Sequence, residues 1–131
     1  MITNISSFTI KVANQEEALA FYTEKLGFEK RADMPMGPGT RWITVAPRDA
    51  QVELVLQPTD WFQGEEREQH LALIGKSPTI VFRVENCRET CKTLAERGVE
   101  ILDQPTEMPY GVQAIIKDLY GNGWVLLEQP A

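Results

Sequence analysis

Polar and apolar residues alternate along Ser7-Phe8-Thr9-Ile10-Lys11-Val12, with Phe8, Ile10 and Val12 on one side and Ser7, Thr9 and Lys11 on the other. That period of two predicts a half-buried strand. The period then changes. Asn14 stands where an N-cap belongs, Glu17 can complete a capping box, and Ala18, Phe21, Tyr22 and Leu26 share one helical face before Gly27 breaks the helix. Three strand candidates follow, Phe28 to Met34, Arg41 to Ala46 and Gln51 to Leu56, separated by Pro35-Met36-Gly37-Pro38-Gly39 and by Pro47-Arg48-Asp49. The predicted order is βαβββ.

The same order recurs. Thr79-Ile80-Val81-Phe82-Arg83-Val84 alternates, Asn86 caps a helix running to Arg97, and Gly98 ends it. Strands are expected at Val99 to Leu102, Val112 to Lys117 and Trp124 to Glu128, with Pro105, Pro109 and Gly111 marking the turn. Ser7 and Thr79, Lys11 and Arg83, Asn14 and Asn86, Gly39 and Gly111, and Val55 and Leu127 all stand 72 residues apart. A tandem duplication explains such an offset. The expected organisation is one domain, with a first repeat over 1–58, a linker over 59–77 containing a potential helix, and a second repeat over 78–131. The expected fold class is α+β, two tandem βαβββ units forming a cleft-bearing curved mixed sheet with helices outside.

Composition narrows the partners. The chain of 131 residues suffices for one well-buried core without disulfide or metal staples. A net charge of −6 and the absence of any Lys/Arg block argue against nucleic acid. No apolar run approaches membrane-spanning length and no leader opens the chain, so neither a membrane nor a secretory role is expected, and the reading is cytoplasmic. Cys87 and Cys91 fall one helical turn apart and are expected as buried packing residues. His70, the sole histidine, lies in the linker without a nucleophile to serve.

Two stretches carry a family likeness: Ala18 to Glu29, reading ALAFYTEKLGFE, and the turn Asp118-Leu119-Tyr120-Gly121-Asn122 before the last strand. In these the chain resembles the vicinal oxygen chelate superfamily of glyoxalases, bleomycin-resistance proteins and extradiol dioxygenases. The resemblance implies that each unit curls its strands around half of a cleft, and that homodimers form. It also implies a divalent-metal site with one ligand from the first and one from the last strand of each unit. Those positions hold Ser7, Thr79, Val125 and Glu53. Only Glu53 is an ordinary ligand where three or four are required. The expectation is therefore a metal-free cleft with no cofactor.

By strand parity the cleft face is expected to carry Ser7, Thr9, Lys11, Thr79, Val81, Arg83, Glu53, Val55, Val125 and Leu127. For the middle strands, Arg41 and Ile43, with Gln113, Ile115 and Lys117, are taken as facing inward, and Trp42 and Trp124 as core on the helix side. A two-residue error in matching the middle strands would leave these faces unchanged. Lys11, Arg83 and Arg41 make the cleft locally basic, which suits a small organic ligand with an anionic group held by a guanidinium fork. Alternatively, Arg83 and Glu53 neutralise each other. Tyr110, Trp61 and Phe62 are candidate stacking surfaces or rim packing.

Two functions follow from this face. One is a bleomycin-resistance-like protein that sequesters its ligand. The other is a glyoxalase-type lyase or isomerase, with or without a divalent metal, in which Glu53 among Val55, Val81 and Val125 loses hydration and serves as general base. A plain interaction module would leave the cleft without purpose.

Overall fold

The computed structural model describes residues 1–130. The chain divides into two compact units, Met1–Gly75 and a second beginning at Lys76. In the first, β1 (Ser7–Val12) leads to α1 (Gln15–Ala20), which continues as a π-helical turn over Phe21–Lys25, and then to β2 (Glu29–Gly37), β3 (Thr40–Ala46) and β4 (Glu53–Pro58). A 3₁₀ turn at Thr59–Trp61 and α2 (Gly64–Ala72) complete it. The second unit runs β5 (Val81–Arg83), α3 (Cys87–Glu96), β6 (Glu100–Met108), β7 (Gly111–Lys117) and β8 (Gly123–Glu128). Each unit holds a four-stranded mixed sheet, ordered β1-β4-β3-β2 and β5-β8-β7-β6. The α+β class and the βαβββ order are those expected.

Both helix starts follow the sequence signals. The side chain of Asn14 accepts from the Glu17 N–H at 2.8 Å, and that of Asn86 from the Glu89 N–H at 3.0 Å, which satisfies donors the first turn leaves unpaired. The hairpins reach further than expected. β2 and β6 continue through Pro35 and Pro105 because both are edge strands, where a residue without an N–H forfeits no ladder bond, and both absorb the irregularity as register shifts. At the corner of the second hairpin, Gly111 turns with φ of +139°, and a Cβ there would lie 2.1 Å from the Glu128 carbonyl oxygen.

The core of the first unit joins Ile10, Val12, Ile43, Val45, Leu54 and Leu56 to Ala18 and Tyr22. In the second, Ala114, Ile116, Trp124 and Leu126 are buried with Cys87, Cys91 and Leu94 of α3. Trp124 lies on that helix side, as expected, with Phe82 edge-on at 6.2 Å.

Candidate functional site

Parallel pairing of β1 with β4 sets Ser7 beside Glu53, Thr9 beside Val55 and Lys11 beside Gln57. Antiparallel pairing of β3 with β4 sets Thr44 beside Val55. One face of this sheet therefore carries Ser7, Thr9, Lys11, Glu53, Val55, Gln57, Thr44 and, two residues along β3, Trp42. Glu53 is half-buried and accepts from the Thr44 hydroxyl at 2.6 Å. Lys11, also half-buried, donates from Nζ to Gln57 Oε1. Burial holds its ammonium below the usual lysine range.

The middle strand corrects an expectation. Arg41 and Ile43 lie on the opposite, helix-side face, and Trp42 lies on the face with Lys11. The cause is the length of one connection. Six residues, 47–52, join β3 to β4, whereas five, 118–122, join β7 to β8. The one-residue difference turns every side chain of β3 over relative to the 72-residue correspondence. Arg31 holds the longer loop, donating from Nη2 to the carbonyls of Pro47, Arg48 and Ala50 at 2.8, 2.9 and 3.1 Å. Buried Asp118 organises the shorter one, accepting from the Tyr120 and Asn122 backbone N–H groups at 2.9 and 2.8 Å and from the Asn122 amide at 2.8 Å.

Arg41 consequently binds protein. It donates to both oxygens of Asp33, at 3.1 and 2.7 Å, and pairs with Glu16 on α1. The arrangement raises the Arg41 pKa and holds the Asp33 carboxyl below its usual range. Beside it the β3–β4 ladder opens, since only Thr44–Val55 and Val45–Leu54 pair. The Gln15 side-chain amide bridges the gap, donating to the carbonyls of Arg41 at 2.8 Å and Leu56 at 3.0 Å.

In the second unit, Val81 lies beside Val125, Arg83 beside Leu127, Gln113 beside Leu127 and Ile115 beside Val125. Arg83, Gln113 and Val125 thus share one sheet face, with Arg83 exposed and the other two half-buried. Thr79 is exposed and precedes β5, which is shorter than expected. Tyr110, 49% exposed, donates its hydroxyl to Gln113 Oε1 at 2.6 Å.

The linker aromatics Trp61 and Phe62, expected as stacking surfaces or rim packing, form a second feature of the first unit. Trp61 lies nearly parallel to Trp42, at 15° with centroids 6.2 Å apart, and Phe62 stacks on His70 at 3.7 Å and 2°. Trp61 Nε1 and His70 Nδ1 are buried without hydrogen-bond partners. Placing Trp42 on this face required the loop length that periodicity does not report.

Residues 4–126 match the Glyoxalase/Bleomycin resistance protein/Dioxygenase superfamily. The chain belongs to that family. It is 36% identical to the uncharacterized protein YetH of Bacillus subtilis (strain 168), covering 98% of this chain and 100% of YetH. The crystal structure of UcmS2 is 38% identical with a TM-score of 0.87, covering 98% of this chain and 100% of UcmS2. That of TnmS3, an antibiotic binding protein from Streptomyces sp. CB03234, is 33% identical with a TM-score of 0.78, covering 98% of both chains.

A divalent metal of the kind some members use does not fit these residues. Glu53 is neighboured by the hydroxyls of Ser7 and Thr44, and Val125 by Val81 and Ile115. Among the described residues no three His, Cys, Asp or Glu side chains gather as a ligand group. No helix among them is long and apolar enough to cross a membrane.

Proposed function

We propose that this chain binds a small organic molecule bearing a carboxylate or similar anionic group, in a metal-free cleft, and sequesters it unchanged, as a resistance protein does. The observation that carries this reading is the face shared by Lys11, Glu53 and Trp42 in the first unit. Together with Ser7 and Glu53 it offers a half-buried cation and an indole. Similarity to an antibiotic binding protein along the whole chain supports it. Ser7 is the neighbouring hydroxyl; on the second unit's own sheet, Arg83, Gln113, Thr79, Val125 and Tyr110 are the candidate ligand-binding residues. Arg41 is omitted because its guanidinium is committed to Asp33 and Glu16.

Homodimer formation belongs to the same proposal. A thermal-shift screen of chelator-treated protein against antibiotics, aromatic carboxylates and glutathione adducts tests the reading. Saturable stabilisation by an anionic compound is expected, and stabilisation restored only by added metal would overturn it.

Glu53 favours a second reading. Half-buried and hydrogen-bonded by Thr44, it would be the base that abstracts a proton beside a ligand carbonyl, the role of a glyoxalase-type lyase or isomerase. Full turnover in a Glu53→Gln variant, on any substrate found, would remove it.

A further inference from the structure

The segment that follows β4 is attached in an unusual way. No residue of α2 is buried, and Leu71 and Leu73 are 38% and 48% exposed. The helix packs chiefly against the Thr59–Trp61 turn, and its N-cap, Gln63, supplies no side-chain bond. Glycines with positive φ stand at its first residue, Gly64 at +59°, and beyond its end, Gly75 at +79°, positions where backbone rotation meets little steric resistance.

The tie from this segment to the sheet is the Trp61–Trp42 stack, and the segment's own internal clasp is Phe62 on His70. Closing the clasp leaves Trp61 Nε1 and His70 Nδ1 dry and unpaired. Buried donors and acceptors without partners disfavour the closed state, and opening rehydrates both. A weakly packed element held by aromatic contacts, with two desolvated polar atoms, belongs among the parts of a fold that open locally.

We propose that residues 64–75 form a hinged lid over Trp61 on the first unit. The lid swings at Gly64 and Gly75, parting His70 from Phe62 and baring Trp61, then closes on a ligand seated beside Trp42 and Trp61, whose indole N–H donates to an acceptor oxygen of the ligand. This rests on the small-molecule reading and adds its gate. Trp61, at the foot of the lid, reads the ligand, and His70 holds the lid shut through Phe62.

Hydrogen exchange of the full chain, alone and with saturating 8-anilinonaphthalene-1-sulfonate as an anionic probe, tests the lid. Without probe, amides of 65–74 are expected to exchange about a hundredfold faster than those of β3 and β4. Bound probe is expected to slow them. His70→Ala, which removes the clasp, is expected to speed both their exchange and probe release about fivefold. Trp61→Phe keeps a stacking ring without the N–H and is expected to raise the probe's Kd about fivefold. Exchange of 65–74 at the sheet's rate, or exchange unchanged by bound probe, would overturn the lid. If neither the probe nor any compound of the wider screen binds, the binding reading falls and the gate with it, while fast exchange of 65–74 persists; the two failures are thus distinct.

Discussion

Thr44 donates its hydroxyl to Glu53 across the β3–β4 pair at 2.6 Å. The bond orients Glu53 on the face that the loop length has already turned toward it, and it predicts different costs for two substitutions. Glu53→Gln retains an acceptor oxygen and is expected to leave stability nearly unchanged. Thr44→Val, at a position 1% exposed, keeps the shape and removes the donor, at an expected cost of about 1 kcal/mol. Urea unfolding of both variants checks the order.

Arg41 ties β2 and β3 to α1 through Asp33 and Glu16. Arg41→Ala is therefore expected to lower thermal stability and leave ligand affinity unchanged, with the stability loss shrinking at high salt. The pH dependence follows from Asp33. Its folded-state pKa is depressed, so its contribution is present above the usual carboxylate range and is lost as pH falls through the lowered value. Melting curves of wild type and Arg41→Ala should converge in acid.

Asp118 closes the β7–β8 turn by accepting from two backbone N–H groups and the Asn122 amide, and Asn122 accepts in turn from the Ser77 N–H at 2.9 Å. Asp118→Ala leaves buried donors unpaired and is expected to cost about 2 to 3 kcal/mol, measured by chemical unfolding. A cost near zero would show the turn to be held by the strands alone.

Cys87 and Cys91 are buried on α3, and burial pushes both thiols up, Cys91 to about 11. The thiolate is the reactive form. Alkylation by iodoacetamide at neutral pH is expected to be slow in the folded protein and rapid in urea. Fast native-state labelling would contradict this packing.

The fold was legible because its signals are local. Asn14 with Glu17, Asn86 with Glu89, and the alternation of β1 state cap and period in adjacent residues. The candidate site was legible only on strands whose correspondence is even. Ser7, Lys11 and Glu53 fall together as parity requires, and so do Arg83, Gln113 and Val125. Arg41 and Trp42 exchanged faces because one extra residue between β3 and β4 inverts parity, and no property of either residue announces that length. The Trp42–Trp61 stack and the gap filled by Gln15 arise from contacts between distant segments, which periodicity does not encode.

Lys11 is expected to meet the anionic ligand on the first unit's sheet face. Isothermal titration of the best anionic compound against wild type and Lys11→Met measures it. The variant is expected to bind about tenfold or more weakly, the loss of one charge-assisted contact. Because burial lowers the Lys11 pKa, wild-type affinity should decline with rising pH before the ordinary lysine range is reached. Equal affinity in the two proteins, with the same pH profile, would remove Lys11 from the ligand site.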